Sequence, residues 1–326
     1  MKQHYIPRCY LRRFSDKEKS IATYDKKNCR KYNASLMSVC CVDDLYTISD
    51  SYVEETNKSG KGTINRLSIE KDHFSQGVEP LFVQLLNQID EIKEEWMSGK
   101  DHYRLNFEEK REIALHLVTQ FFRMPEIGET MVEDYMRMNR ADVDLIKEIM
   151  AVQTGNDTFR DLEVEVSCEK PTLHANLSYM DSETMMMFAD AIAENIFVFW
   201  ISKGNDFYTS DFPIVVEPHV LNARPLFMGL AQYGGEVMFP LSPGLSLSIY
   251  DREYFKDKEE MDCAFVVADD KEVRRHNYFR YFYAVQHVFS YKNDFSLIEM
   301  VYKRDGKHPF YKPNFRMEII SGLGRY

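Results

Sequence analysis

Apolar residues recur at helical spacing through the middle of the chain and at alternate positions through its later third, so the sequence reads as helices followed by strands. From about residue 65 to 153 the period is helical. Leu81, Val83, Leu85, Leu86, Ile89 and Ile92 mark one amphipathic helix that ends near Gly99. The next helix carries the clearest start signal in the chain: Asn106 can cap it, and Glu109 completes a capping box. Ile113, Ala114, Leu117, Val118, Phe121 and Phe122 give it a broad apolar face, and Pro125 helps to stop it. Val132, Tyr135, Met136, Val143, Ile146 and Ile149 predict a further helix over 129–152. A methionine-rich helix over 182–195, with Ser182 as its cap, uses its methionines as core filler.

The period then changes to two. Short strands are expected at 196–202, 207–209, 214–216, 237–239, 245–250 and 264–267, punctuated by Gly204, Pro213, Gly234, Gly235, Pro243 and Gly244. An antiparallel meander or curled sheet follows from that pattern. Asp269 and Glu272 stand at capping-box spacing before a helix over 269–284, and a strand over 285–291 precedes a last helix over 294–303. At the other end, Pro7 suits the first position of a short helix that turns Tyr10, Leu11 and Phe14 inward. A small β region follows, with a turn at Asp25, Lys26, Lys27 and Asn28, and then a polar, exposed stretch over 49–62. The fold class is α+β, a single domain over 1–326: a small N-terminal β region (1–64), a helical region (65–195) and a mainly antiparallel sheet with late helices (196–305).

Composition narrows the classes. With 44% hydrophobic residues, 20 Tyr and 22 Phe, the chain is too apolar for disorder and its core should be rich in rings. The net charge of −11 disfavours broad nucleic-acid binding, although Arg12, Arg13 and the run 26–31 make the N-terminal region locally basic. The six cysteines form no C-x-x-C pair and no zinc-like cluster with histidine, so they read as reduced thiols. No apolar run is long enough to span a bilayer, and the cytoplasm is the expected compartment.

No phosphate loop, dinucleotide fingerprint, H-E-x-x-H or G-x-S-x-G occurs, so any site is assembled from dispersed residues. His4 and Arg8 flank Pro7, a titratable ring and a fixed cation suited to a proton transfer or an anion. His116, Gln120 and Arg123 project along one side of a helix, with Arg123 as a two-pronged anchor for a carboxylate or phosphate. Ser210 and Asp211 lie in the turn Thr209-Ser210-Asp211-Phe212-Pro213, where the carboxylate can lock backbone N–H groups, hold a metal or act as a base. Phe239-Pro240-Leu241-Ser242-Pro243 repeats the theme of a hydroxyl held by prolines. Asn277 falls on the inward face of its helix, where a buried amide must be bonded, to Asp211 or to nearby backbone. Each group also has a plain structural reading as a cap, a turn lock or a polar rim.

In order along the chain, His4-Tyr5-Ile6-Pro7-Arg8, Asp44-Leu45-Tyr46, Gln120-Phe121-Phe122-Arg123-Met124-Pro125, the Ser210-Asp211 turn, the Phe239 to Pro243 motif and Asn277 resemble the bacterial domain of unknown function family 4238. The resemblance implies a single-domain protein of about this length and supplies no reaction.

Two functional expectations stand beside the structural one. The first is a hydrolase cleaving phosphodiester or nucleotide substrates, a nuclease-like effector of stress response or phage defence. In it His4 and Asp211 are catalytic, while Arg8, Gln120, Arg123, Ser210 and Asn277 bind substrate. A divalent ion, magnesium or manganese, is the cofactor such chemistry calls for. The net charge makes a nucleotide or short nucleic acid a better partner than a long one. The second is a non-catalytic sensor of a small anionic ligand or a protein partner.

Overall fold

The computed structural model describes residues 1–17, 19–60, 62–99, 104–165, 182–204, 206–220, 229–306, 308–309, 320–321 and 324–325. Strand β1 (Lys2–His4) leads through Pro7 into α1 (Arg8–Arg12). Pro7 caps that helix from outside and is not its first residue, but Tyr10, Leu11 and Phe14 are buried as expected. Strands β2 (Ser20–Asp25) and β3 (Arg30–Ser35) form a hairpin. Its turn is locked by the Asp25 carboxylate, which accepts the N–H groups of Lys27 and Asn28 at 2.9 and 3.1 Å. Strand β4 (Cys41–Asp43) returns to pair antiparallel with β1. The polar stretch that follows forms α2 (Asp50–Lys58), none of whose residues is buried.

A π-helical stretch, Ile69–Val78, runs directly into α3 (Glu79–Met97). Phe82, Leu85, Leu86 and Ile89 form the buried face of α3, whereas Leu81 and Val83, expected on that face, are exposed. Helix α4 (Phe107–Phe122) has the complete capping box, with Asn106 and Glu109 bonding reciprocally at 3.1 and 2.8 Å. Pro125 is the first residue of α5 (Pro125–Thr154), where its missing N–H costs nothing, so it starts one helix as well as ending another. Ile146 and Ile149, expected on the apolar face of α5, are exposed. Helix α6 (Ser182–Ala193) packs Met185, Phe188, Ala189 and Ile192 into the core beside α4, with Ser182 as its first residue.

Strands β5 (Ile196–Ile201), β6 (Thr209–Ser210), β7 (Val215–Pro218), β8 (Gly235–Ser242), β9 (Leu245–Tyr250) and β10 (Ala264–Val267) follow. Helix α7 (Asp270–Tyr283), strand β11 (His287–Ser290) and helix α8 (Ser296–Asp305) come after them. Five strands in the order β10-β5-β9-β8-β7 make one sheet, antiparallel except for the β10–β5 pair. Pro240 sits inside β8 where the register shifts, the place in a ladder that tolerates a missing donor. The N-terminal hairpin is not a unit of its own: β2 pairs with β11, which pairs with β6, giving a second, four-stranded antiparallel sheet. The helix and strand content is that of an α+β fold. Among the described residues no helix is long and apolar enough to cross a membrane.

The five-stranded sheet has two unlike faces. Phe197, Phe199, Val237, Phe239, Leu245, Leu247 and Ile249 enter the main core with α1, α4 and α6. Alternate positions, Trp200, Glu236, Ser246, Ser248 and Tyr250, face the other way. Helix α7 lies on that side, and hydrogen bonds anchor it. Arg280, 2% exposed, donates to the carbonyls of Phe212 at 3.4 Å, Met238 at 3.2 Å and Pro213. Burial draws its pKa down to about 10. Arg280→Met should therefore cost about 2–4 kcal/mol in urea unfolding, because the carbonyls stay buried without a donor. Arg280→Lys should recover little of that loss, since an ammonium lacks the planar fork that reaches separate carbonyls. A variant as stable as the parent would refute the anchoring role.

Candidate functional site

The residues singled out in the sequence fall into three groups, and their polar atoms mostly meet backbone. The Gln120 amide donates to the Tyr5 carbonyl at 2.8 Å, and the Arg123 guanidinium donates to the His4 carbonyl at 2.8 Å and to Glu79 at 3.1 Å. The Phe74 ring lies 4.0 Å beneath that guanidinium. Arg123 thus does hold a carboxylate, one from its own chain. The His4 ring bonds the Leu36 carbonyl through Nε2 at 3.1 Å, and burial lowers its pKa. Arg8 is exposed against the Met37 sulfur, and the half-buried His116 stacks on Phe82.

The second group is the turn after β6. The Asp211 carboxylate accepts the N–H groups of Val285, Gln286 and His287 at 2.9, 2.7 and 2.7 Å, while Ser210 bonds both polar atoms of the Phe212 backbone. Asn277 forms the third, receiving the Tyr208 N–H at 2.7 Å and donating to the Asp206 carbonyl at 2.9 Å. No bond links Asn277 to Asp211, nor Asp211 to the His4 ring. The structure brings Gln120 and Arg123 to adjacent carbonyls at the end of β1, joins Ser210 and Asp211 in one turn, and gives Arg8 and Asn277 separate surroundings.

A denser constellation lies between the polar side of the five-stranded sheet and α7. Arg275 donates to both oxygens of Glu236, at 2.9 and 2.6 Å, and to Glu272 at 2.7 Å. His276, 3% exposed, places Nε2 3.2 Å from Glu272 and Nδ1 3.0 Å from the Ser246 hydroxyl. A carboxylate only accepts, so Nε2 carries the proton and Ser246 donates to Nδ1. Ser248 donates to Glu236 at 3.3 Å. At the edge stands His219, whose Nε2 lies 3.1 Å from Glu236 and whose side chain is 35% exposed. By the same logic its Nε2–H points at Glu236, and Nδ1 is left to take up or give a proton.

These groups open on a cleft of about 550 Å³ walled by Trp200, Tyr250, Tyr254, Phe255, Asp257 and Lys258. Burial raises the Glu236 carboxyl, but hydrogen bonds from His219 and Arg275 outweigh it and bring the pKa down to about 2. Glu272 follows the same balance, burial opposed by His276 and Arg275, and also falls to about 2. His276 is lowered, chiefly by burial, and is neutral at pH 7. Glu236, Glu272 and His276 offer donor atoms within 4.8 Å of one another, the one set among the described residues able to hold a metal ion. Arg275 already bonds both carboxylates, so an ion entering there must displace it.

Sequence reasoning missed this site, yet two signals marked it. Every residue of β9 is buried, so the alternating hydroxyls of Ser246 and Ser248 require partners on one face. Glu272, Arg275 and His276 sit at one-turn spacing on α7, but the capping position of Glu272 already explained its presence.

A family model described as "Protein of unknown function (DUF4238)" matches residues 2–294. The chain belongs to this family. No curated protein and no solved structure matches it. The match covers the whole cleft of this DUF4238 member, including α7, and both β2 and β11.

The cleft sets an acid limit on stability. Glu236 and Glu272 have folded pKa values below the ordinary 4.5, so their contribution is complete above that pH and disappears as pH falls toward 2. The lowered His276 acts in the same direction from pH 6.5 downward, because only the unfolded chain gains its proton. Denaturant midpoints should fall from neutral pH toward pH 3 in the parent. The Glu236→Gln variant should be less stable at neutral pH and show a flatter acid limb; an unchanged slope would contradict the assignment.

Proposed function

We propose that this protein is a hydrolase acting on a phosphate ester of a nucleotide or short nucleic acid, with its chemistry in the cleft between the five-stranded sheet and α7. The carrying observation is the His219–Glu236 pair: a buried carboxylate fixes one imidazole nitrogen and leaves the other available at the mouth of a ring-lined cleft. His219 moves the proton, and Glu236 fixes its tautomer. Trp200 and Tyr254 offer faces on which a base can stack, and Lys258, held over the buried Tyr250 ring at 5.0 Å, is placed to meet a phosphate. This reading moves the catalytic roles from His4 and Asp211 to His219 and Glu236, because the former pair is engaged with backbone groups.

A binding role without turnover is the second reading. It is favoured by the way Arg275, Glu236, Glu272 and His276 satisfy one another, leaving His219 as the group best placed to react. Full-length protein should be assayed with bis-p-nitrophenyl phosphate, mononucleotides, dinucleotides and short RNA and DNA strands, with and without magnesium or manganese. The expected result is turnover of at least one substrate, with His219→Ala still folded, its melting temperature lowered only by the lost Glu236 bond, and its kcat down by roughly 10²–10⁴-fold. No turnover, with a nucleotide-induced thermal shift, would replace the hydrolase with the sensor. Turnover indifferent to His219→Ala would move the chemistry elsewhere.

A further inference from the structure

Helix α7 has a second polar side. Opposite the Glu236 cleft, Val273 and Asn277 line another opening of about 320 Å³, bounded by Asp206, Ser290, Lys292 and Leu297. A volume of that size exceeds several water molecules at roughly 30 Å³ each.

Two of its lining groups are incomplete. Ser290, on β11, is 1% exposed, and its hydroxyl has no hydrogen-bond partner. Asp206 gives Oδ1 to the Lys292 ammonium at 2.9 Å, while its Oδ2 is buried without a partner. Unpartnered buried polar atoms are rare, because nothing in the protein offsets the water they have lost. Here two of them line a single opening.

We propose that this opening binds a small primary ammonium with a short apolar body. A carboxylate oxygen accepts only, and a hydroxyl can accept, so what both lack is a donor. Asp294 adds a second carboxylate to the lining, and Arg274, exposed, is the second cation there beside Lys292. The Lys292 ammonium is already engaged by Asp206 and by the Gly204 carbonyl at 3.2 Å, which leaves it poorly placed to receive an anion. Val273, Leu297 and Met300 supply the wall for the alkyl part. Asn277, read in the sequence as a ligand-binding amide, stands in this lining with both ends of its amide bonded to the backbone that carries Asp206 and Tyr208. Its role here is to hold the carboxylate-bearing segment in place.

The test uses the full chain at pH 7 with three probes: n-butylamine, sodium butyrate, and Nα-acetyl-lysine amide as a mimic of a lysine side chain in a peptide. Saturation-transfer NMR and thermal shift should register butylamine at millimolar concentration and butyrate not at all. The acetyl-lysine amide arm tells a free amine from a peptide-borne one. Asp206→Asn should weaken butylamine at least tenfold. Because that change also disturbs Lys292, Ser290→Ala is the cleaner variant: it removes no existing bond, so it should melt with the parent and still bind at least fivefold more weakly. Equal binding of butylamine and butyrate, binding of neither, or parental affinity in Ser290→Ala would overturn the proposal.

Discussion

The guanidinium of Arg280 lies fully inside the protein, with carbonyls from the turn after β6 and from β8 as its hydrogen-bond partners. A charge can be kept there only because those carbonyls are themselves buried and need a donor. The same trade recurs along α7, where Asn277 serves the backbone of 206–208, His276 the hydroxyls of β9, and Arg275 the carboxylate of β8. An ordinary surface helix is seated by an apolar stripe; Val273 and Tyr281 are the only apolar or aromatic residues that α7 buries. Hydrogen bonds are directional where apolar contacts are not, so this mode of seating fixes the helix in rotation as well as in depth. The distances in the Glu236 cleft depend on that rotation.

Two openings consequently share one helix. Residues 272, 275 and 276 turn toward the five-stranded sheet, while 273 and 277 turn toward Ser290 and α8. The polar contacts that seat the helix are therefore shared by the walls of both openings.

The sequence carried the helical frame and much of the local chemistry. The Asn106–Glu109 box and the Asp25 turn were readable because each is closed within a few residues; the Asp211 carboxylate, read as a lock for its own turn, instead holds the distant backbone of Val285, Gln286 and His287. The pairing of β2 with β11 was not readable: it joins the two ends of the chain, and β-branched alternation says that a strand exists without saying beside what. The site was obscured for a related reason. Motifs built around Pro7, Pro213 and Pro240 attract the eye because irregular backbone needs side-chain partners, and those side chains are largely used in supplying them. Most of the cleft's clustered polar groups stood instead in β8, in the fully buried β9 and on α7, where spacing is regular and no single residue looks unusual.

Charge in the Glu236 cleft limits how it can hold a phosphate. Its lining carries the carboxylates of Glu236, Asp257 and Glu272 against the cations of Lys258 and Arg275. On the hydrolase reading, an anionic phosphate therefore meets one more carboxylate than cation, so attraction between charges does not hold it there and stacking on Trp200 and Tyr254 has to. Because the Nε2–H of His219 is committed to Glu236, Nδ1 is the nitrogen left to exchange a proton with substrate or water. If it serves the leaving oxygen, activation of the attacking water is left on that reading to an ion that displaces Arg275.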